Sequence, residues 1–364
     1  MTKVSVIIPV YNAQKYLREC LDSVANQTLD NIEIICINDG STDNSLSILD
    51  EYAQKDNRFI ILSKENGGSA AARNVGLSKA KGDYIYFVDN DDIIAENTFE
   101  IFTKVADRDI LDVVYSNPNW VCESDNMVDP YSRTKDPTEE QMKIQTGKEL
   151  LTSLILSSNY YAAPWKRFIR RSFLELINCK FFEQASPHED NLFSFKIDIE
   201  AGKVGFIKKR LYTHRSHSFS TMITNQQKKN LGPKVVSHFL CGFGIMNYVA
   251  EKYYPQDTKS AIMHRANGLF NRAFELFDES GHDGKSLNWQ GRWVEAHLFN
   301  QMFKLRANAK QVQVEKNITY IEPKDLIEEK TFFSKLAKNL LKVESYKENH
   351  GWLRTLKRII KGNK

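Results

Sequence analysis

The first ninety residues alternate between short apolar runs and longer stretches in which apolar residues recur every three or four positions. Uninterrupted runs rich in valine and isoleucine are typical of strands buried on both faces, whereas the longer stretches are typical of helices with one apolar face. The pattern predicts strands over residues 4–10, 32–37, 59–62 and 84–88. Because strands and helices alternate, we expect right-handed crossovers and an α/β fold with a mostly parallel, doubly wound sheet.

The remainder of the chain is less regular. Residues 117–146 are polar and are predicted to form a long loop, followed by a helix over 147–157 and a short strand over 204–207. Beyond residue 226 the pattern is helical, with predicted helices over residues 235–253, 258–279 and 287–305.

These patterns predict an α/β domain over residues 1–222 and a helical C-terminal region over residues 223–364. Within the α/β domain, residues 1–115 contain the strand and helix alternation, and residues 116–222 form a more variable half.

Polar residues follow each of the four predicted strands at the point where it ends. They are Tyr11 and Asn12, then Asp39, then Asn66, Gly67 and Gly68, and finally Asp89, Asn90 and Asp91. Because ligands of such sheets bind outside the carboxyl ends of the strands, we expect these four groups to form one site.

The acidic residues after the fourth strand suit a metal ion. Asp89 and Asp91 follow a buried strand, where carboxylates can hold a hard divalent cation together with phosphate oxygens. The alternative is an ordinary turn with carboxylates that cap a helix, and Asp92 is a candidate for such a cap. Ser41 or Thr42 is the predicted cap of the helix after the second strand.

The glycine pair after the third strand suits a phosphate. Gly67 and Gly68 precede a helix and offer free backbone N–H groups, and Arg73 lies on that helix, so together they suit a diphosphate. A glycine turn with a surface arginine is the alternative. Asp39 could accept hydrogen bonds from a base or ribose, or else cap a helix.

Taken in order, these motifs resemble glycosyltransferase family two, whose members have the GT-A fold. The likeness is carried by residues 9–12, 38–43, 66–74 and 89–92, and it extends to 163–166, 170–172, 188–190 and 212–220. Four motifs in the family's order and spacing are far more specific than any one of them. The likeness fades near residue 222.

The resemblance implies roles for individual residues. Pro9, Tyr11 and Asp39 would hold uridine, with Arg73 near the uridine or the phosphates. Asp91 would be the principal ligand of Mn²⁺ or Mg²⁺, and Asp89 would contact the ribose or the metal. Asp190 would be the general base, Arg215 would contact the diphosphate, and His217 could complete the metal shell. Further residues implied to contact nucleotide or substrate are Asn12, Asn66, Gly68, Asn90, Trp165, Lys166 and Glu189.

The implied activity is inverting transfer of a hexosyl or N-acetylhexosaminyl group from a UDP-sugar to a hydroxyl of a saccharide or lipid-linked saccharide. A sugar-1-phosphate nucleotidyltransferase would need a glycine-rich loop with a basic residue where this chain has residues 9–12. A dehydrogenase would need GxGxxG there. A catalytically silent nucleotide-sugar-binding protein is disfavoured because both Asp91 and Asp190 are present.

Composition and charge indicate where in the cell the protein would act. Five scattered cysteines favour a reducing compartment, and the first apolar run, which ends at Pro9, is too short for a signal-peptide core. The net charge is +8 from Met302 onward and −4 before it. Residues 352–361 combine one apolar face with four cations, which predicts reversible binding to an anionic membrane surface, with packing on the helical region as the alternative. We therefore predict a cytoplasmic enzyme, peripheral on the inner face of the membrane, with no nucleic-acid partner.

Overall fold

The four apolar runs at the start of the chain form the centre of a single sheet. The computed structural model describes residues 2–122, 144–185, 187–217, 232–249 and 252–279. The predicted helix over residues 287–305 and the basic tail lie outside these ranges. Residues as far as Phe277 form one compact unit.

The strands are β1 (Val4–Val10), β2 (Ile32–Asn38), β3 (Phe59–Ser63), β4 (Tyr84–Phe87), β5 (Ile93–Ile94), β6 (Val113–Cys122), β7 (Arg167–Arg170) and β8 (Val204–Ser216). The helices are α1 (Leu17–Ala25), α2 (Ser45–Lys55), α3 (Ser69–Lys79), α4 (Thr98–Asp109), α5 (Gly147–Leu156), α6 (Arg171–Leu176), α7 (Asp190–Glu200), α8 (Gly232–Val249) and α9 (Gln256–Glu279).

The strand order across the sheet is β3-β2-β1-β4-β7-β6-β8-β5. The first four strands in this order are parallel, and β6 and β8 are also parallel to each other. β7 runs antiparallel to both of its neighbours, and β5 runs antiparallel to β8. The predicted α/β fold with a mostly parallel sheet is confirmed, with two antiparallel strands that the sequence did not indicate.

Helices cover both faces of the sheet. On one face, α1, α2 and α4 pack on Val6 and Ile8 of β1, and the predicted stripe of α1 is wholly buried. On the other face, α3, α6 and α7 pack on Ile7 and Ile35. α3 lies unusually close to the strands: a β-carbon at Gly76 would come within 2.5 Å of Ile7 Cγ2. The sheet is therefore doubly wound, and its parallel strands all end at one edge.

Three local predictions were wrong. Residues 117–122 continue β6 instead of opening a loop, and β8 runs on from residue 207 to Ser216, because these two segments pair with each other. Neither Ser41 nor Thr42 caps α2, which begins at Ser45. Both residues instead bond to Asn12, since Ser41 Oγ accepts from its N–H at 3.1 Å and Thr42 N–H donates to its Oδ1 at 2.8 Å.

The helical pair α8 and α9 packs on α7 through a third apolar core. Leu192, Phe195 and Ile199 of α7 contact this core, to which the pair contributes Cys241, Ile245, Ala261, Ile262, Ala266 and Leu269. Two of the three helices predicted beyond residue 226 are confirmed, and the division at residue 222 stays a prediction. Among the described helices, none combines the length and the apolar character needed to cross a bilayer.

Candidate active site

The loop after β4 is held between the helix face and the end of β8. Asp89 Oδ1 accepts a hydrogen bond from Arg73 at 2.9 Å, and Asp91 Oδ2 lies 3.0 Å from His217 Nε2. Asn90 points back and donates through Nδ2 to the carbonyl of Pro9 at 2.8 Å. The two carboxylates therefore face different partners, and the residue between them ties the loop to β1.

Arg73 joins the acidic loop to the start of α7. Its guanidinium is almost completely buried and donates to Asp190 Oδ1 at 3.0 Å as well as to Asp89, and it lies 3.5 Å from Glu189 Oε1. Burial alone would lower the pKa of Arg73, but the charges of Asp190, Asp89 and Glu189 outweigh it and raise the pKa. The arginine that we expected beside the uridine or the phosphates thus binds three carboxylates, and it brings Asp190 and Asp89 into one cluster.

The acidic pair at the start of α7 divides into a buried and a half-buried member. Glu189 is buried and accepts a hydrogen bond from Ser69 Oγ, whereas the side chain of Asp190 keeps 32% of its surface accessible. Of the two oxygens of Asp190, the described residues engage only Oδ1. The ring of the preceding residue, His188, packs on His238 with 3.9 Å between centroids.

A pH dependence follows from the surroundings of Asp190. Burial raises its pKa to about 7; Arg73 opposes this shift, and the charges of Glu189 and Asp89 add to it. A base must be deprotonated, so we expect kcat to fall as pH drops through this raised value. Measuring kcat with saturating substrates from pH 5 to 9 checks this. An acid limb centred near pH 4, the ordinary range of aspartate, would contradict it.

Asp39 organises the second part of the edge. Its carboxylate accepts hydrogen bonds from the Gly67 and Gly68 N–H groups at 3.0 and 2.7 Å and from Lys64 Nζ at 2.6 Å. Asn66 Nδ2 donates to the Asp39 carbonyl at 3.0 Å. The backbone N–H groups that we expected to be free for a diphosphate therefore donate to Asp39, which is itself no helix cap.

Gly68 is needed for this arrangement. Its φ of +86° lies in the region that L side chains rarely adopt, and it directs the chain into α3.

Tyr11 stands at the same edge with 49% of its surface accessible, which makes it one of the most exposed large side chains of the described sheet edge.

Two residues predicted to contact substrate are buried behind the site. Trp165 is buried and stacks on Tyr212, with ring centroids 4.4 Å apart and 5° between planes. Lys166 is mostly buried beside it, with its ammonium 5.7 Å from the centre of the Tyr161 ring; burial lowers its pKa to about 8, and the nearby Arg167 adds to this shift. Trp165 is therefore part of the core, because the paired strands behind the site close over it.

Asp92, which the sequence offered as a helix cap, caps no helix. It is completely buried and accepts hydrogen bonds from Tyr212, His214 and the Arg215 backbone N–H. Burial alone would lower the pKa of His214, but its hydrogen bond to Asp92 and the charge of Asp92 raise it to about 9. Burial in turn raises the pKa of Asp92 to about 6, against the opposing effect of His214.

The end of β8 approaches α1 through two side chains. Arg215 donates to Glu19 at 2.5 Å and lies 4.8 Å from the centre of the Tyr16 ring. The His217 ring also packs on Tyr16, with ring centroids 4.3 Å apart. Tyr16 was not singled out in the sequence, where it reads as an ordinary apolar helix residue. Residues 218–220, the end of the segment 212–220 that carries the family likeness and Arg215, lie outside the described residues.

A divalent cation fits the side chains that meet here. In the described part of the chain, no three metal-binding side chains form a ready cluster. A metal that arrives with a diphosphate needs only one or two protein ligands, since phosphate oxygens and water complete its shell. Asp91 and His217, in contact at 3.0 Å, offer a carboxylate and an imidazole, a pair that suits Mn²⁺. Asp89 lies on the same loop. Arg73 engages its Oδ1, so Oδ2 is the oxygen that Asp89 could offer to a metal.

A buried ion pair behind the site was missed by the sequence analysis. Arg167 donates to both oxygens of Asp198 at 2.7 and 2.5 Å and to the carbonyl of Ala163 at 2.8 Å. Tyr115 donates to the same carboxylate at 2.6 Å. Asp198 lies on α7, so the pair fixes the helix that carries Asp190 to β7. No local pattern in the sequence marks two charges this far apart as partners.

Known proteins resemble this chain in sequence over its first part. The model of the family described as Glycosyl transferase family 2 matches residues 5–175, a range that ends before Asp190. Glycosyltransferase GlyG of Streptococcus pneumoniae is 38% identical over 227 residues, which are 61% of this chain and 73% of GlyG. Among the first curated relatives, the matched part covers between 30% and 73% of the relative.

Solved structures share the fold. TarS of S. aureus, in complex with UDP-GlcNAc, superposes with a TM-score of 0.58 at 24% identity, over 81% of this chain and 79% of that chain. The mannosyltransferase PcManGT of Pyrobaculum calidifontis, in complex with GDP-Man and Mn²⁺, superposes with a TM-score of 0.51 at 14% identity, over 87% and 84%. The predicted GT-A fold is confirmed, and with GlyG matched over more than two thirds of its length, this chain belongs to glycosyltransferase family 2.

Proposed function

We propose that this glycosyltransferase transfers a sugar from a UDP-sugar to a hydroxyl of a saccharide or lipid-linked saccharide, with inversion and with a divalent metal. The observation that carries the proposal is the Arg73 cluster. It holds the acidic loop, through Asp89, and the accessible carboxylate Asp190 at 2.9 and 3.0 Å from one guanidinium. One guanidinium thus joins Asp89 of the acidic loop, on the donor side, to Asp190, the candidate base.

The chain's own residues suggest the following division of work. Asp190 Oδ2 takes the proton of the acceptor hydroxyl, while Arg73 fixes Oδ1 and so orients the carboxylate. Asp91 and His217, with Asp89, would hold the metal, which when bound stabilises the charge on the departing diphosphate. Asp39 and Tyr11 flank the place where the nucleoside would lie. Direct displacement by the acceptor hydroxyl, with inversion, needs one base, and Asp190 can supply it.

UDP as the nucleotide is supported by the sequence motifs and by the UDP and UDP-GlcNAc complexes of TarS. Those complexes belong to a protein that shares the fold, and the donor screen identifies the sugar that this chain transfers. Family membership removes the nucleotidyltransferase alternative, and a catalytically silent protein remains an outcome of the test.

The test is a donor screen followed by a stereochemical assignment. UDP release from UDP-GlcNAc, UDP-glucose, UDP-galactose and GDP-mannose is measured with Mn²⁺ and simple saccharide acceptors, and donor binding is measured by calorimetry. We expect a UDP-sugar to be used and the product anomer, read by NMR, to be opposite to that of the donor. A product with retained configuration refutes single displacement, and binding without turnover on any acceptor favours the silent protein.

We also propose that the basic tail brings the enzyme to an anionic membrane. Each cation near such a surface contributes about 1 kcal/mol, and residues 352–361 carry four of them beside one apolar face. We expect the full-length protein to sediment with anionic vesicles in low salt and to detach in high salt. A chain ending before Glu348 should bind distinctly less, and neutral vesicles serve as the control. Equal binding by both chains would assign the tail a packing role instead.

A further inference from the structure

The most completely buried carboxylate of the acidic loop is the one that touches neither the proposed metal site nor Arg73. Asp92 has no accessible surface, and both of its oxygens are occupied by β8. Oδ2 accepts from Tyr212 Oη at 2.5 Å and from His214 Nδ1 at 3.0 Å, and Oδ1 accepts from the Arg215 N–H at 2.8 Å. A buried carboxylate is stable only when it is bonded in this way.

These bonds fix the chain immediately before His217. One edge of β8 is paired with β6 as far as Ser216. On the other edge β5 pairs with it only at Thr213 and Tyr212, so on that side the ladder ends before the site. Asp92 extends the attachment to Arg215, two residues before His217. The Tyr212 hydroxyl also accepts the Asp89 N–H at 3.2 Å. The same network therefore holds both the acidic loop and the strand end that places His217 Nε2 3.0 Å from Asp91.

Aromatic rings keep water away from these bonds. Trp165 stacks on Tyr212 and on the His214 ring, the latter with centroids 5.7 Å apart, and Trp120 meets His214 edge-on at 4.8 Å. Hydrogen bonds in a dry environment are stronger and hold their partners more rigidly than those in water. The burial of Trp165 thus shields the bonds that hold the end of β8.

We propose that Asp92 is a positioning residue of the donor site, which sets the metal affinity of the Asp91 and His217 pair by anchoring the end of β8. This inference rests on the proposed function, because it takes that pair as the metal ligands. Removing groups that orient metal ligands typically weakens metal binding by about 10- to 100-fold. We expect a weakening in that range for Asp92→Asn, which keeps the shape of the side chain but cannot accept from all three donors.

A matched control exists at the opposite edge of the sheet. Glu33 is also a buried carboxylate that accepts three hydrogen bonds, from Ser5 Oγ at 2.5 Å and from the N–H groups of Lys81 and Gly82 at 2.6 and 3.2 Å. It lies at the start of β2, whereas the site lies beyond the strand ends. Glu33→Gln should therefore lower the melting temperature as Asp92→Asn does and leave metal binding unchanged.

The experiment measures Mn²⁺ affinity by calorimetry at saturating UDP, together with melting temperature, for the full-length wild type and each variant. Besides the two amide variants, it includes Tyr212→Phe, which removes one bond to Asp92, and a cycle with His217→Ala. We expect Asp92→Asn to weaken Mn²⁺ binding strongly in the wild-type background and little in the His217→Ala background, since both changes act through one ligand.

Unchanged Mn²⁺ affinity in Asp92→Asn, an equal loss in Glu33→Gln, or additive losses in the cycle would each overturn the proposal. If Asp92→Asn does not fold, Tyr212→Phe takes its place in the same cycle with the same criteria. Failure of the proposed function has a different signature, in which the wild type itself binds no Mn²⁺ with UDP. A wild type that binds and an Asp91→Ala variant that does not, beside an unaffected Asp92→Asn, refutes the positioning role alone.

Discussion

Asp190→Asn is expected to lower kcat by about 10²–10⁴-fold, the usual contribution of a positioned general base. The amide keeps the size of the side chain and can still accept from Arg73 through its carbonyl oxygen, so the helix start should keep its geometry. It cannot take a proton from the acceptor hydroxyl. Donor binding, measured by calorimetry, should therefore stay close to the wild-type value while turnover collapses.

The control for this variant lies on the same helix. Glu200→Gln makes the same chemical change at the other end of α7, where Glu200 pairs with Lys252, and it should leave kcat unchanged. A variant at Asp190 with near wild-type turnover would show that another group accepts the proton. A parallel loss of donor affinity would instead point to a collapsed Arg73 cluster.

Asp91→Ala is expected to abolish metal-dependent binding of the UDP-sugar. The change removes the carboxylate that contacts His217. The remaining ligands would be an imidazole, which suits a hard divalent cation poorly, and Asp89, one oxygen of which Arg73 already engages. Calorimetry with UDP in the presence of Mn²⁺ and in the presence of a chelator separates the metal-dependent part of the affinity. The wild type should show a large difference between the two conditions, and the variant should show none.

Asp30→Ala is the matched control, since it removes the same charge from an exposed position before β2, at the far edge of the sheet. It should bind UDP with wild-type affinity and wild-type dependence on Mn²⁺. An Asp91→Ala variant with this same behaviour would move the metal site away from the acidic loop.

The parallel half of the fold was predictable because its strands are buried on both faces and therefore appear as unbroken apolar runs. β1 and the stripe of α1 agree with the prediction residue by residue. The far half was not, because β6 and β8 pair across some ninety positions and carry polar residues where they do. A segment whose partner is so distant in sequence has no local pattern that distinguishes a strand from a loop.

The site shows the same division between position and partner. The sequence indicated which edge would carry Asp39, Arg73 and Asp91, because strand ends are recognisable. It could not indicate that Asp39 would accept the glycine N–H groups or that Arg73 would bind three carboxylates. Such choices depend on which side chains the tertiary packing brings into contact, and the burial of Trp165 against Tyr212 is a choice of the same kind.

The helix that carries Asp190 is built into two cores at once. Phe193 and Ile197 face the sheet, whereas Leu192, Phe195 and Ile199 face α8 and α9. The helix start that carries Asp190 is therefore supported from two sides. The first strands of the sheet lie within the residues matched by the family model, whereas α8 and α9 lie beyond residue 175. Substitutions that reshape the core between α7 and the α8–α9 pair would shift the start of α7, and Asp190 with it, while leaving the strand ends of the donor edge in place.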